Sequence, residues 1–107
     1  MVINQYEIYW VDLNPSVGHE IKKIRPCAVI SPNEMNFNID TVIIAPMTTK
    51  SKNYPTRIKI EFEKKTGWIV LDQIRTIDKM RLKEKAGCLR EIEILKVKNA
   101  LKEMLID

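Results

Sequence analysis

The spacing of the apolar residues changes near residue 90, and this change constrains the fold more than any other feature. Before it, short runs rich in β-branched and aromatic residues are separated by turn residues, a pattern typical of β-strands. The expected strands are Tyr6–Leu13, Pro26–Ser31, Thr41–Thr48, Thr56–Phe62, Trp68–Ile74 and, at the end, Lys83–Leu89. We expect Glu63–Gly67 to form a turn and Ile77–Leu82 to hold about one helical turn.

From Glu91 onward the apolar residues recur every three or four positions. They are Ile94, Val97, Leu101 and Met104, with Leu105 beside them. This period predicts an amphipathic helix that packs on the sheet. The fold class is therefore expected to be β-rich α+β, a small curved barrel or sandwich of five to six strands with a C-terminal amphipathic helix.

Length and charge narrow the class of protein. The 107 residues suffice for one domain, residues 1–107, and leave no room for a second core. The net charge of +4 favours an anionic partner such as nucleic acid, with an ordinary basic surface as the alternative. Because no window is long and apolar enough to cross a bilayer and no leader segment is recognisable, we expect a cytoplasmic protein without a membrane.

The cysteines and the histidine exclude a structural zinc site. Cys27 and Cys88 lie far apart, without C-x-x-C spacing, and His19 is the only histidine. Cys27 stands in an apolar run. We expect both thiols to be reduced and to lie in or near the core, and we expect no metal and no other cofactor.

The candidate functional residues are polar side chains at the ends of strands, where the rim of a barrel brings distant segments together. Catalytic triads, Cys-His pairs, paired carboxylates and glycine-rich phosphate loops are absent from the sequence. A guanidinium at a strand entrance suits a phosphate, hydroxyls and ammonium groups bind phosphate oxygens, and a carboxylate accepts a proton or orients an arginine. The candidates are His19, Glu20, Lys22, Lys23 and Arg25, then Thr48, Thr49, Lys50 and Lys52, and finally Asp72 and Arg75.

Each of these groups has a structural alternative. For Arg25, the residues alone favour an ion pair with Glu20 or Asp72 over a phosphate contact. The Thr48 hydroxyl is equally suited to closing a turn. The aromatic residues Phe37, Tyr54 and Trp68 are suited to stacking on unpaired bases, although core packing is the better expectation for Trp68.

The order of these features resembles a known family. The sequence YWVDLNP leads into Gly18-His19-Glu20, then Arg25-Pro26 and an apolar strand to Ser31-Pro32, and later into PMTTKSK, Tyr54-Pro55 and DQIRTID. In this order, and over nearly the whole chain, the sequence resembles the MazF/PemK (Kid) family of toxin endoribonucleases of type II toxin–antitoxin systems. It departs from the usual family pattern at Tyr6-Glu7, where Gly-Asp is usual, and at Ile21–Ile24, where a glutamine and small residues are usual.

The resemblance implies an SH3-like barrel, a homodimer, a cognate antitoxin partner whose disordered tail occupies the RNA site, and metal-independent, sequence-specific cleavage of single-stranded mRNA. The main catalytic positions of the family match Arg25 and Thr48. The loop glutamate matches Glu20, a histidine of the Kid-like branch matches His19, and the Asp-Gln-x-Arg segment matches Asp72 and Arg75.

A mechanism follows for such a reaction. The ribose 2′-OH attacks the adjacent phosphorus, so the site needs a base, an acid and cations for the phosphorane. We assign phosphorane stabilisation to Arg25 and a phosphate contact to Thr48, and Glu20, His19 and Asp72 remain candidates for the base. The alternatives are a gyrase-poisoning toxin like CcdB, which does not cleave RNA, and a barrel that only binds nucleic acid.

Overall fold

A computed structural model describes residues 2–107 and contains seven strands and two α-helices. In chain order these are β1 (Glu7–Asp12), β2 (Ile24–Val29), α1 (Asn33–Asn38), β3 (Thr41–Thr48), β4 (Arg57–Phe62), β5 (Lys65–Val70), β6 (Arg75–Asp78), β7 (Leu82–Cys88) and α2 (Glu91–Leu105). Short 3₁₀ turns cover Leu71–Gln73 and Lys79–Arg81. The expected β-rich α+β class with a C-terminal helix is confirmed.

The strands pair antiparallel in one curled sheet with the order β4-β5-β3-β2-β1-β7, and β6 pairs with β3 as well. Strand β3 is the centre of the fold because it pairs with β6 over its first half, with β2 over its middle and with β5 at its end. Because β2 and β3 are antiparallel, the start of β2 lies beside the end of β3, and the loop before β2 and the loop after β3 meet at one rim of the curled sheet.

Side chains that alternate along each strand fill two apolar clusters, one on each face of the sheet. In β1, Tyr9 and Val11 enter the first cluster and Ile8 enters the second. The first cluster also holds Cys27 and Ile44. Helix α2 covers the second cluster, in which Val97 is fully buried.

A buried carboxylate fixes the start of α2. Glu93 accepts hydrogen bonds from the backbone N–H of Arg90 at 2.9 Å and from that of Glu61, in β4, at 3.2 Å, and it pairs with the Arg90 guanidinium at 3.0 Å. Burial by itself raises the pKa of Glu93, but the hydrogen bonds from Arg90 and Glu61 bring this pKa below its usual value. The helix is thus tied to the terminal strand of the sheet as well as packed on it.

Two expectations about strands and turns were wrong. The fifth strand ends at Val70 instead of Ile74, because the chain enters a 3₁₀ turn at Leu71 and then forms β6, which brings the sheet to seven strands. The turn expected over Glu63–Gly67 is shorter, since Phe62 already pairs with Lys65. Its two residues, Glu63 and Lys64, have φ of 50° and 63°, as a two-residue hairpin turn requires. The expected helical turn before β7 is present as Lys79–Arg81.

Three further differences concern a helix and two side chains. Helix α1 was not expected, because its sequence is rich in asparagine, and it is held by Asn36, whose Nδ2 donates to the Ser31 carbonyl at 2.9 Å. Leu105 is exposed rather than part of the packed face of α2. Cys88 is exposed as well, which corrects the expected core position, whereas Cys27 is buried, and burial raises its pKa to about 12.

None of the helices in residues 2–107 is long and apolar enough to cross a membrane.

Candidate functional site

Arg25 and Thr48 lie at the same end of two neighbouring strands. Cys27 of β2 stands opposite Pro46 of β3, and each strand continues two residues beyond this pair, to Arg25 and to Thr48. Both residues line a cavity of about 190 Å³, which we call the Arg25 cavity. Its other walls come from β1, from β3 and from the β4–β5 hairpin, including Trp10, Met47, Phe62, Glu63 and Lys65.

The Arg25 guanidinium carries no counter-ion from the described residues 2–107. Its Nε donates to the Lys22 carbonyl at 3.3 Å, and none of the ion pairs in this part of the chain includes it. The expected alternative, a pair with Glu20 or Asp72, is not formed. A half-buried arginine whose positive charge is not neutralised by a carboxylate is suited to an anion.

The Thr48 hydroxyl closes the turn that leaves β3. Its Oγ1 accepts from the backbone N–H of Lys50 at 3.2 Å and donates to the Lys50 carbonyl at 3.4 Å. Closing this turn is the structural role that was considered above as the alternative to a phosphate contact. The long donor distance leaves the hydroxyl proton weakly held, so the group keeps the capacity to donate to a phosphate oxygen. Thr49, Lys50 and Lys52 follow as exposed residues.

The loop between β1 and β2 carries His19, Glu20, Lys22 and Lys23 as exposed side chains. Glu20 Oε1 accepts from the backbone N–H of Val17 at 2.6 Å, which folds the tip of the loop on itself. At the base, Leu13 N donates to the Lys23 carbonyl at 2.9 Å, and Lys23 has a left-handed φ of 71°. The two lysines therefore belong to a defined turn directly before Arg25.

Gln73 positions this loop, a role that sequence analysis missed. The backbone N–H of Ile21 donates to Gln73 Oε1 at 2.8 Å, and Gln73 Nε2 donates to the His19 carbonyl at 3.5 Å. One indication of this role was present in the sequence, because Gln73 stands between the candidate residues Asp72 and Arg75.

Glu20, Asp72 and Arg75 line a second cavity, of about 260 Å³, which we call the Glu20 cavity. Pro46 is also part of its wall, whereas the next two residues of β3, Met47 and Thr48, line the Arg25 cavity. Glu20 is thus brought together with Asp72 and Arg75, which lie far later in the chain.

Asp72 does not orient Arg75. Its carboxylate binds Arg57, and Arg75 Nη1 donates to the Leu13 carbonyl at 3.2 Å. Burial by itself raises the pKa of Asp72, but the hydrogen bonds from Arg57 and Thr56 lower it below its usual value. A carboxylate held in this way is a poor proton acceptor near neutral pH, so Asp72 is poorly suited to act as a base.

Within residues 2–107, no three His, Cys, Asp or Glu side chains come together in a way that could hold a metal ion.

Comparison with known proteins identifies relatives along almost the whole chain. Residues 4–105 match the family model described as PemK-like, MazF-like toxin of type II toxin-antitoxin system. The endoribonuclease MazF of Staphylococcus epidermidis is 40% identical over 107 residues, covering 94% of this chain and 88% of that protein.

Solved structures share the fold. The MazF structure from Deinococcus radiodurans superposes with a TM-score of 0.86 at 24% identity, covering 98% of this chain and 97% of that one. A mycobacterial endoribonuclease in complex with its cognate antitoxin superposes with a TM-score of 0.82 at 23% identity, covering 96% of this chain and 94% of that one.

Proposed function

Given that the chain belongs to the family of PemK-like, MazF-like toxins of type II toxin–antitoxin systems, and is an endoribonuclease, we propose that it cleaves single-stranded mRNA at specific sequences without a metal ion. One observation carries the choice of site: Arg25, which has no ion-pair partner among the described residues, and Thr48 end adjacent strands and line one cavity. This arrangement supports the recognition of a phosphodiester.

Each residue has a chemical role in the proposed reaction. Glu20 takes the proton of the ribose 2′-OH, the 2′ oxygen attacks the adjacent phosphorus, and the bond to the 5′ oxygen breaks, which leaves a 2′,3′-cyclic phosphate and a 5′-OH. Arg25 stabilises the charge that develops on the phosphorane and supplies the proton or hydrogen bond that the leaving oxygen needs, and Thr48 holds a phosphate oxygen.

The remaining candidates surround this centre. Lys22 and Lys23 before Arg25, and Lys50 and Lys52 after Thr48, attract the RNA strand by their charge. In this proposal His19, Thr49 and Arg75 contact the strand, while Asp72 acts through its bond to Arg57 and so supports the rim.

Two protein partners follow from the proposed function. The first is a cognate antitoxin, as supported by the antitoxin complexes among the structural neighbours. The second is another copy of this chain, because one small barrel offers only a shallow rim and a homodimer extends it into a groove.

The decisive experiment incubates purified protein with single-stranded RNA in EDTA and maps the fragments by primer extension. We expect cuts at one short motif by the wild type, and a loss of at least about 100-fold in kcat for Arg25→Ala. Lys98→Ala, which changes an exposed lysine of α2, is the matched control and should cleave normally.

The outcomes separate the alternatives. Intact RNA with the wild type, or equal cleavage by Arg25→Ala, contradicts the proposal. Inhibition of gyrase supercoiling without RNA cleavage would identify a gyrase poison, and salt-sensitive RNA binding without cleavage would identify a binding barrel.

A further inference from the structure

A groove of about 390 Å³ lies between the β4–β5 hairpin and helix α2, outside the two cavities of the candidate site. Its size falls in the range of pockets that hold small organic groups. Three cations and one carboxylate line it, together with Trp68 and a few polar and small residues. The charged residues are Arg57, Lys59, Lys96 and Glu103.

Two cation–π contacts lie along the side of β4 that lines the groove. Lys59 lies opposite Trp68 in the strand register, with its Nζ 6.0 Å from the centre of the indole ring. The Arg57 guanidinium lies 5.1 Å from the centre of the Tyr54 ring, and Tyr54 is 50% exposed. Partly exposed rings interleaved with cations are the chemistry that binds single-stranded nucleic acid, because bases stack on the rings and phosphates contact the cations.

The groove is linked to the candidate site through Arg57. The same guanidinium that lies over Tyr54 donates to Ser51 Oγ at 3.1 Å and binds Asp72. Ser51 belongs to the segment that follows Thr48, and Asp72 lines the Glu20 cavity. The groove thus continues the surface on which the candidate site lies.

We propose that this groove is an RNA subsite beyond the cleavage site, in which one base stacks on Trp68 while Lys59 and Lys96 contact the phosphates beside it. The inference rests on the proposed function and extends it, since it assigns a place for nucleotides outside the cleaved motif. The groove selects single-stranded RNA because only an unpaired base exposes a face that can enter beside the indole ring.

Tryptophan fluorescence tests this directly, because the chain has two tryptophans and Trp10→Phe leaves Trp68 as the only reporter. The probes are 2′-O-methyl RNAs, which lack the attacking hydroxyl. One of about 6 nucleotides holds the mapped cleavage motif, and two of about 14 extend it on the 5′ or the 3′ side. We expect one extended probe to quench Trp68 and to bind about tenfold more tightly than the short probe.

Variants separate stacking from charge. Trp68→Ala should remove the tenfold gain of the extended probe and leave binding of the short probe unchanged. Lys59→Ala and Lys96→Ala, both at exposed positions whose loss leaves the core intact, should each lower the salt slope of the extended probe by about 0.7. Lys98→Ala, on the same helix outside the groove, should leave the slope unchanged.

Failure of the subsite proposal can be distinguished from failure of the proposed function. Normal RNA cleavage by the wild type, together with equal affinity for short and extended probes or no quenching of Trp68, overturns the subsite and leaves the proposed function intact. Quenching by an antitoxin peptide but not by RNA assigns the groove to a protein and also overturns it. Absence of any cleavage or RNA binding overturns both proposals.

Discussion

Arg57 and Asp72 are joined by two hydrogen bonds, from Nε to Oδ1 and from Nη2 to Oδ2, each 3.2 Å long. Thr56 Oγ1 donates to the same Oδ1 at 3.0 Å. This pair connects β4 with the 3₁₀ turn after β5, and through Ser51 it also holds the segment that leaves Thr48. The carboxylate that was a candidate functional residue and a candidate base from the sequence is therefore committed to the architecture of the rim.

A double-mutant cycle should measure this pair. With Arg57→Ala, Asp72→Ala and the double variant, urea unfolding should give a coupling free energy of about 1 kcal/mol, the upper end for partly exposed pairs, because the contact is bidentate. A cycle between Arg57 and the exposed Glu84 is the control and should show additivity. A coupling near zero for the first cycle would mean that the pair contributes nothing to stability.

Acid should destabilise the fold through three carboxylates. Burial by itself raises the pKa of Glu7, Asp72 and Glu93, but hydrogen bonds and ion pairs lower each one below its ordinary value. The unfolded chain then binds more protons than the folded one as the pH falls through about 4. The free energy of unfolding should stay level from pH 7 to about 5.5 and decrease below this.

Glu93→Gln should show a smaller decrease between pH 5.5 and 3 than the wild type, because its amide does not titrate. Glu91→Gln changes an exposed carboxylate in the same helical turn and should keep the full decrease. Chemical denaturation at a series of pH values is the measurement, and identical curves for all three proteins would rule out this role of Glu93.

The β4–β5 turn offers a stabilising substitution. Glu63 and Lys64 occupy the left-handed region, where side chains are disfavoured and Asn-Gly is preferred. Lys64→Gly should raise the free energy of unfolding by about 0.5 to 1 kcal/mol. Lys65→Gly, one position later and inside β5, should lower it by a similar amount, and a thermal melt of the three proteins would reveal either sign.

Substitutions of Thr48 and of Thr49 should change different kinetic parameters of RNA cleavage. Thr48→Val removes the hydroxyl that holds the phosphate oxygen and should lower kcat about tenfold, whereas Thr48→Ser should keep most of the activity. Thr49→Val should mainly raise KM. Steady-state cleavage of a short fluorogenic RNA separates these parameters, and an unchanged kcat for Thr48→Val would remove Thr48 from the mechanism.

Sequence analysis predicted the parts of the fold with a strong period. Strands β1 to β3 follow from runs rich in apolar, β-branched and aromatic residues, strand β4 follows from alternation, and helix α2 follows from the repeat of Ile94, Val97 and Leu101. It missed α1 and β6, because six polar-rich residues and a four-residue strand have too few apolar positions to show a period. Their structure depends on tertiary contacts, such as the pairing of β6 with β3.

Functional residues at the ends of predicted strands could be identified from the sequence. Residues inside a strand in which polar and apolar positions alternate regularly could not. Arg25 and Thr48 were singled out because each lies at an end of a predicted strand and matches a catalytic position of the MazF/PemK family, whereas the structure supplies the strand pairing that brings them together. Arg57 lies in a regular alternating strand, so its sequence neighbours gave no indication that it binds Asp72. Gln73 was missed because its role depends on the exact path of the loop between β1 and β2.

The bond between Glu93 and Glu61 has a consequence for association between molecules. Strand β4 is the last strand in the order of the sheet, and terminal strands offer free amides to which a strand of another chain can add. Glu93 occupies the amide of Glu61, so an approaching strand finds no donor at that position. The carboxylate that anchors the helix thereby also removes one of the donors through which a strand of another molecule could add to this edge.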